Sequence, residues 1–301
     1  MPALTFSKWS PGGNTTLLFP DSGQRPAEQA RLAALALDPA MLGGEQAGFV
    51  QLAQGKLRMA GGEFCVNASR AVGAMLAYAA QNSSPEQGIL NGFAADPTQL
   101  TSSAPPPCPV RIDEIQVSGW HSPVRLHTRG AAPLWQVEAL LRLPACSITT
   151  VEEGAQLVRL PGICHLLLGG PAHTLPEDCY AAAAQMRQRH HLENEPAAGV
   201  IWWRECQGQL EMLPLVHVRD AGTTFLENAC GSGALALALR LARSGTRRAF
   251  SIMQPGGSAL EVRLFTENGA EMAGVDGPVA LVARGKVWLP EPEAYTRPRQ
   301  G

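Results

Sequence analysis

Two cysteines carry the chemistry that this sequence offers. Cys230 lies in Phe225–Arg243, FLENACGSGALALALRLAR, where Gly-Ser-Gly leads from the thiol into a leucine- and alanine-rich run. That run is apolar almost all round, which predicts a buried helix. A helix start leaves its first backbone N–H groups without intrahelical partners and carries the positive end of the dipole. Such a setting favours thiolate and can hold a carboxylate. Residues 61–77, GGEFCVNASRAVGAMLA, repeat the pattern around Cys65, again with a glutamate shortly upstream. A single cysteine of this kind is as readily explained as a small buried residue packed at a helix start. Two equivalent ones suggest a pseudo-symmetric pair facing one site.

Paired thiols suit inversion at a carbon acid. One must remove a proton from one face of Cα while the other delivers a proton to the opposite face. Two neighbouring thiols titrate as a coupled pair, so a mixed thiol and thiolate state is the expected working form. The N–H groups of Val66, Asn67, Gly231 and Ser232 would bind a carboxylate and stabilise negative charge that develops on it. The sequence has no convincing phosphate-binding signature for pyridoxal phosphate, and no cofactor or metal is expected.

The rest of the chain has to position these two starts. At 301 residues, with 45% hydrophobic and 17% charged residues, it has material for a large core and the length of two domains. A net charge of −2 gives no footprint for nucleic acid or an anionic membrane. No apolar run approaches the roughly 18 residues that span a bilayer, and MPALTFSKWSPGG does not read as a secretory leader. Seven cysteines, odd in number, widely spaced and without a C-x-x-C pair, argue against a disulfide framework or a zinc site. The reducing cytoplasm is the expected compartment.

Helices are expected at Pro26–Leu37, after each cysteine and over Leu175–Arg189. Short strands with turns between them fill most of the remainder, including Val279–Ala283 and Lys286–Leu289 near the end. The Pro-rich stretch Asp96–Pro109 should be an exposed loop. Each half reads as strands, an apolar helix, then more strands. The expected fold class is α+β, with a first domain over residues 1–145 completed by strands from 278–301, and a second over 146–277. His190-His191 reads as solvated surface, His165 as a structural residue of the site, and Trp202-Trp203 as one core and one surface residue of a strand.

The repeat resembles the pyridoxal-phosphate-independent amino-acid racemases with the diaminopimelate epimerase fold. Gly13-Asn14, Glu63-Phe64-Cys65-Val66-Asn67-Ala68, Gly162 to His165, Ala229 to Ala234 and the closing strands from Gly277 carry the resemblance. It implies two pseudo-symmetric domains, a catalytic cysteine from each, and Asn14 at the substrate. Homodimers are common in that family. The departures point away from diaminopimelate itself. Val66 stands where the family usually has glycine, Ile163 replaces a substrate-contacting asparagine, and Ala221 falls where an arginine would hold a distal carboxylate. Gly44 to Phe49 and Gly222 to Phe225 are similar to the histidine racemases of opine-metallophore biosynthesis. That likeness implies Glu45 as a partner for an imidazole or ammonium group and Phe49 as a lid residue. A diaminopimelate epimerase with an altered site and a non-catalytic amino-acid-binding protein remain alternatives. A phenazine-biosynthesis-type isomerase fits less well, because those lack the cysteine pair.

Overall fold

The computed structural model describes residues 3–82, 110–170 and 173–290, so the expected loop at Asp96–Pro109 lies outside the described residues. The chain opens with β1 (Ala3–Pro11), β2 (Thr16–Pro20), α1 (Pro26–Leu37), β3 (Gln46–Gln51), β4 (Lys56–Met59) and α2 (Val66–Asn82). A meander follows, β5 (Arg111–Val117), β6 (Val124–Ala131) and β7 (Leu134–Arg142). Next come β8 (Ser147–Glu152), β9 (Ala155–Leu160), β10 (Ile163–Gly169) and α3 (Cys179–Arg189). Then β11 (Ala197–Cys206), β12 (Gln209–Val218) and β13 (Thr223–Leu226) lead to α4 (Gly231–Arg243). The last strands are β14 (Ala249–Met253), β15 (Ala259–Glu267) and β16 (Ala270–Trp288).

The sheet is mixed and largely antiparallel, and the class is α+β. Strands β1 to β7 pair in order, β16 pairs β7, and β16 also pairs β1, so eight strands close into a ring. Closure leaves that ring without a free edge. α2 runs through it with nearly its whole first half buried. This explains why α2 is built from alanine and glycine. A Cβ on Gly73 would stand 2.9 Å from Val137 Cγ1 and 3.0 Å from Thr128 Oγ1, so the strands approach too closely for a larger residue. From β16 the sheet continues through β15, β14, β12, β11, β10 and β9 to β8, and α4 packs against this second run. Residues Gly231–Ala238 of α4 are all buried, as its uniformly apolar sequence requires. Burial of Leu235 and Leu237, both fully enclosed, is worth about 1.5–3 kcal/mol each.

Two local expectations are corrected. The segments Val279–Ala283 and Lys286–Leu289 belong to one 19-residue strand, β16, which joins both parts of the sheet. Gly277 marks a close approach there and not a turn: a Cβ would meet Arg70 Nη2 and Leu260 Cδ2 at 2.8 Å. α3 starts at Cys179 instead of Leu175, because Asp178 caps it by accepting the Ala181 N–H at 2.9 Å. Among the described residues no helix is long and apolar enough to cross a membrane.

Candidate active site

The two helix starts face each other. Cys65 immediately precedes α2, and its sulfur accepts the Ala68 N–H at 3.3 Å. Its thiol donates to Gln46 Oε1 at 3.0 Å. The Gln46 amide is oriented by donating from Nε2 to Thr16 Oγ1 at 2.7 Å, and that hydroxyl donates to Asn14 Oδ1 at 3.2 Å. A carbonyl oxygen facing the sulfur makes Cys65 a hydrogen donor at rest. Cys230 is the N-cap of α4, and its N–H donates to Gln254 Oε1 at 2.9 Å. The Ser232 hydroxyl lies 3.7 Å from the Cys230 sulfur and 3.0 Å from His165 Nε2.

Asn67 and Asn14 both donate to the carbonyl of Ala229, at 2.7 and 3.2 Å, and so tie the first helix start to the second. Arg70, fully buried, donates to the carbonyls of Val137 and Pro278 and reaches Asn67 Oδ1 at 3.5 Å. Burial lowers its guanidinium pKa to about 10, which leaves it charged. At the junction, Gly231 faces Val66: a Cβ there would stand 2.8 Å from Val66 Cβ. The valine that departs from the family pattern is thus accommodated by a glycine opposite. Gly231→Ala should destabilise the fold by about 1–3 kcal/mol through overpacking, and Val66→Gly in the same chain, which removes the opposing Cβ, should recover part of that loss. Thermal unfolding of the single and double variants measures this, and an unshifted melting temperature in Gly231→Ala would disprove the tight junction.

Both thiols line one cavity. Its apolar wall includes Ile163, Val216, Val218 and Phe225. Its charged lining consists of three glutamates, Glu45, Glu63 and Glu227, and no lysine or arginine is among the described residues that line it. Burial dominates their ionisation. It raises Glu63 to about 7 and Glu227 to about 8, the latter helped by the neighbouring Glu45 and Glu63. The thiols move the same way. Burial first, and then the charge of Glu227, push Cys65 and Cys230 well above the usual thiol value. Donation from the helix-start N–H groups opposes this without overcoming it. The expectation that the helix starts would favour thiolate is therefore reversed in this site, because desolvation outweighs the dipole. The Glu227 carboxyl lines the cavity beside the Cys230 thiol and acts on its ionisation more than any other charged group does, which makes it the nearest candidate to receive the thiol proton.

Val66, Asn67, Gly231 and Ser232 line this cavity beside the thiols. Asn14 is completely buried behind it. Glu45 also lines it, yet both of its oxygens are engaged. Oε1 accepts Asn228 Nδ2 at 2.7 Å, and Oε2 accepts Asn14 Nδ2 at 2.9 Å and the Asn228 N–H at 3.0 Å. It clasps the β2–β3 side of the molecule to the second cysteine block. Phe49, expected as a lid, is instead a core residue stacked on Phe19 at 5.5 Å. Side chains alternate along β3, so Gln46 faces the cavity while Ala47 and Phe49 pack into the cluster beneath α1. Sequence reasoning did not single out Gln46 or Gln254. Gln46 could have been found from the same alternation; Gln254 carries no signal before its bond to the Cys230 N–H is seen. His165 is completely buried and neutral, its pKa lowered to about 3 by burial. Among the described residues no group of three or more His, Cys, Asp or Glu is arranged to hold a metal ion.

Residues 3–288 match the family model of the histidine racemase CntK N-terminal domain. The chain belongs to this family. A relative named histidine racemase, from Fusobacterium nucleatum subsp. nucleatum, is 27% identical over 292 residues, covering 95% of this chain and 97% of the relative. In fold, the CntK-family chain is similar to a hydroxyproline epimerase from Agrobacterium vitis with bound trans-4-OH-L-proline. The TM-score is 0.64 at 12% identity, over 97% of this chain and 94% of that one. A probable proline racemase from Agrobacterium radiobacter K84 gives 0.59 at 13% identity, over 97% and 95%. The protein is an isomerase, an amino-acid racemase of the racemase and epimerase class.

Proposed function

We propose that this racemase inverts histidine without a cofactor, using Cys65 and Cys230 as the two acid–base groups. The observation that carries the reading is the pair of helix-start thiols on one cavity whose charged lining is carboxylate alone. An acidic cavity suits an α-ammonium and an imidazole, and it offers nothing to a second carboxylate. The family model and the relative support histidine over diaminopimelate for the same reason of kinship. We read the two helix-wrapped runs of strands as pseudo-symmetric domains that meet near Pro144-Ala145, each supplying one cysteine.

The chemistry follows from the resting hydrogen bonds. The substrate's ammonium enters a site crowded with carboxyl groups and stabilises the ionised form of Glu227. Glu227 takes the Cys230 proton, and the resulting thiolate removes the Cα proton. Charge accumulates on the substrate carboxylate, where the N–H groups at the starts of α2 and α4 are the available donors. Cys65, already a hydrogen donor toward Gln46 Oε1, delivers its proton to the opposite face. In the reverse direction the thiols exchange roles. The product would enter an opine-metallophore type of synthesis, as the sequence resemblance implies.

The test is α-proton exchange in D2O, followed by NMR with no added cofactor, for L-histidine, diaminopimelate and proline. Exchange confined to histidine is the expected result. Exchange of diaminopimelate would overturn the reading of the acidic cavity.

A further inference from the structure

We propose that Glu63 selects the substrate: its free carboxylate oxygen receives a side-chain N–H, so the site prefers an amino acid carrying an imidazole or another cationic nitrogen. The inference rests on the reading that an amino acid binds between the two thiols. It begins with an anomaly. Glu63 Oε2 is buried, lines the cavity region and has no hydrogen-bond partner, although the residue is only 8% exposed. A buried polar group without a partner is costly, and a native site that keeps one reserves it for something.

The other two carboxyl groups are already committed. Both Glu45 oxygens are held by Asn14 and Asn228, and Glu227 lies beside the Cys230 thiol, whose ionisation it opposes. Glu63 is also held in place. Its carbonyl accepts the Ser118 hydroxyl at 2.9 Å, and the next residue, Phe64, stacks on Trp120 at 4.3 Å. Gly61 makes room for the carboxylate, since a Cβ there would lie 2.8 Å from Glu63 Oε2 and 2.5 Å from Val218 Cγ1.

Position decides which part of the substrate Glu63 meets. Glu227 acts more strongly than Glu63 on the Cys65 thiol and is the one carboxyl that acts on the Cys230 thiol, so it belongs beside Cα and the α-ammonium. Glu63 acts on Cys65 more weakly than Glu227 does, feels Arg58 and Asp220 as well, and sits beside Val218. A ring extending from Cα along Val216 and Val218 would bring its nitrogen to the free oxygen.

Calorimetric titration with L-histidine and with L-β-(2-thienyl)alanine, a ring of similar size without an N–H, tests this directly. The wild-type protein should bind histidine about 10- to 100-fold more tightly, the scale of a charge-assisted hydrogen bond. Glu63→Gln should abolish that preference by weakening histidine alone. Glu63→Asp, which keeps the charge but shortens its reach, should show an intermediate preference and decides the matter if the glutamine variant does not fold. Equal weakening of both ligands, or an undiminished preference, would overturn the proposal. Selective binding that depends on Glu63, in a protein giving no Cα exchange in D2O, would uphold it while refuting the racemase mechanism. Exchange of histidine with a preference that survives Glu63→Gln would do the reverse.

Discussion

Serine in place of Cys65 or of Cys230 should slow histidine racemisation by about 10²–10⁴-fold, the usual share of a positioned acid–base group. The change is small in volume and keeps the local bonds. A serine oxygen at 65 can still accept the Ala68 N–H and donate to Gln46 Oε1, so the start of α2 remains intact. What is lost is the ability to ionise, since an alkoxide is far less accessible than a thiolate in a site that already resists charge. The two variants should differ in an informative way. Each keeps one thiol, so each should still exchange the Cα proton of one enantiomer with solvent while failing to invert it. Deuterium wash-in measured by NMR beside polarimetry separates exchange from inversion. The retained enantiomer should be opposite in the two variants. Full racemisation by either would end the two-thiol mechanism.

The features most legible in the sequence were the two cysteine blocks, because each combines a local signal with an apolar helix that cannot lie at the surface. The placement of α2 and α4 follows from their composition: alanine and glycine where strands crowd in on α2, alternating alanine and leucine in the fully buried first half of α4. Strand β16 was misread as two pieces because Gly274, Gly277 and Gly285 mimic turn signals. At Gly274 and Gly277 small size is required by side chains crossing above them, Glu138 and Arg70 respectively, and nothing local announces a crossing. Phe49 was misplaced for a different reason. Its resemblance to a lid residue competed with the two-residue alternation of β3, and the alternation decides which face a side chain takes. The ionisation of the thiols lay furthest from the sequence. It depends on Glu227, Glu63 and complete burial acting together, and the sum of desolvation over a folded cavity has no local signature.

That ionisation gives the second large effect. Glu227→Gln should impair catalysis by about 10²-fold or more and yet raise the stability of the unliganded protein above neutral pH. The carboxyl has an ordinary value of 4.5 when unfolded and about 8 when folded, raised first by burial. Below pH 4.5 both states hold the proton and the group contributes nothing. Between 4.5 and 8 the unfolded chain releases it while the folded chain keeps it, so the unfolded state binds fewer protons and stability falls as pH rises. Above about 8 both are ionised and the penalty is fully present. At about 1.4 kcal/mol for each unit, with part of the effect shared with Glu63, the penalty is on the order of 3 kcal/mol. Glutamine removes it, so the melting temperature of the variant should match wild type near pH 4.5 and exceed it by several degrees at pH 8. A difference that stays flat across this range would mean that Glu227 ionises as an exposed carboxylate does. The same penalty is relieved when a substrate cation enters the cavity. Histidine should therefore raise the wild-type melting temperature more at pH 8 than at pH 5, and that pH dependence should shrink in Glu227→Gln: the buried carboxyl groups that weaken the empty site are the ones that a cationic substrate stabilises.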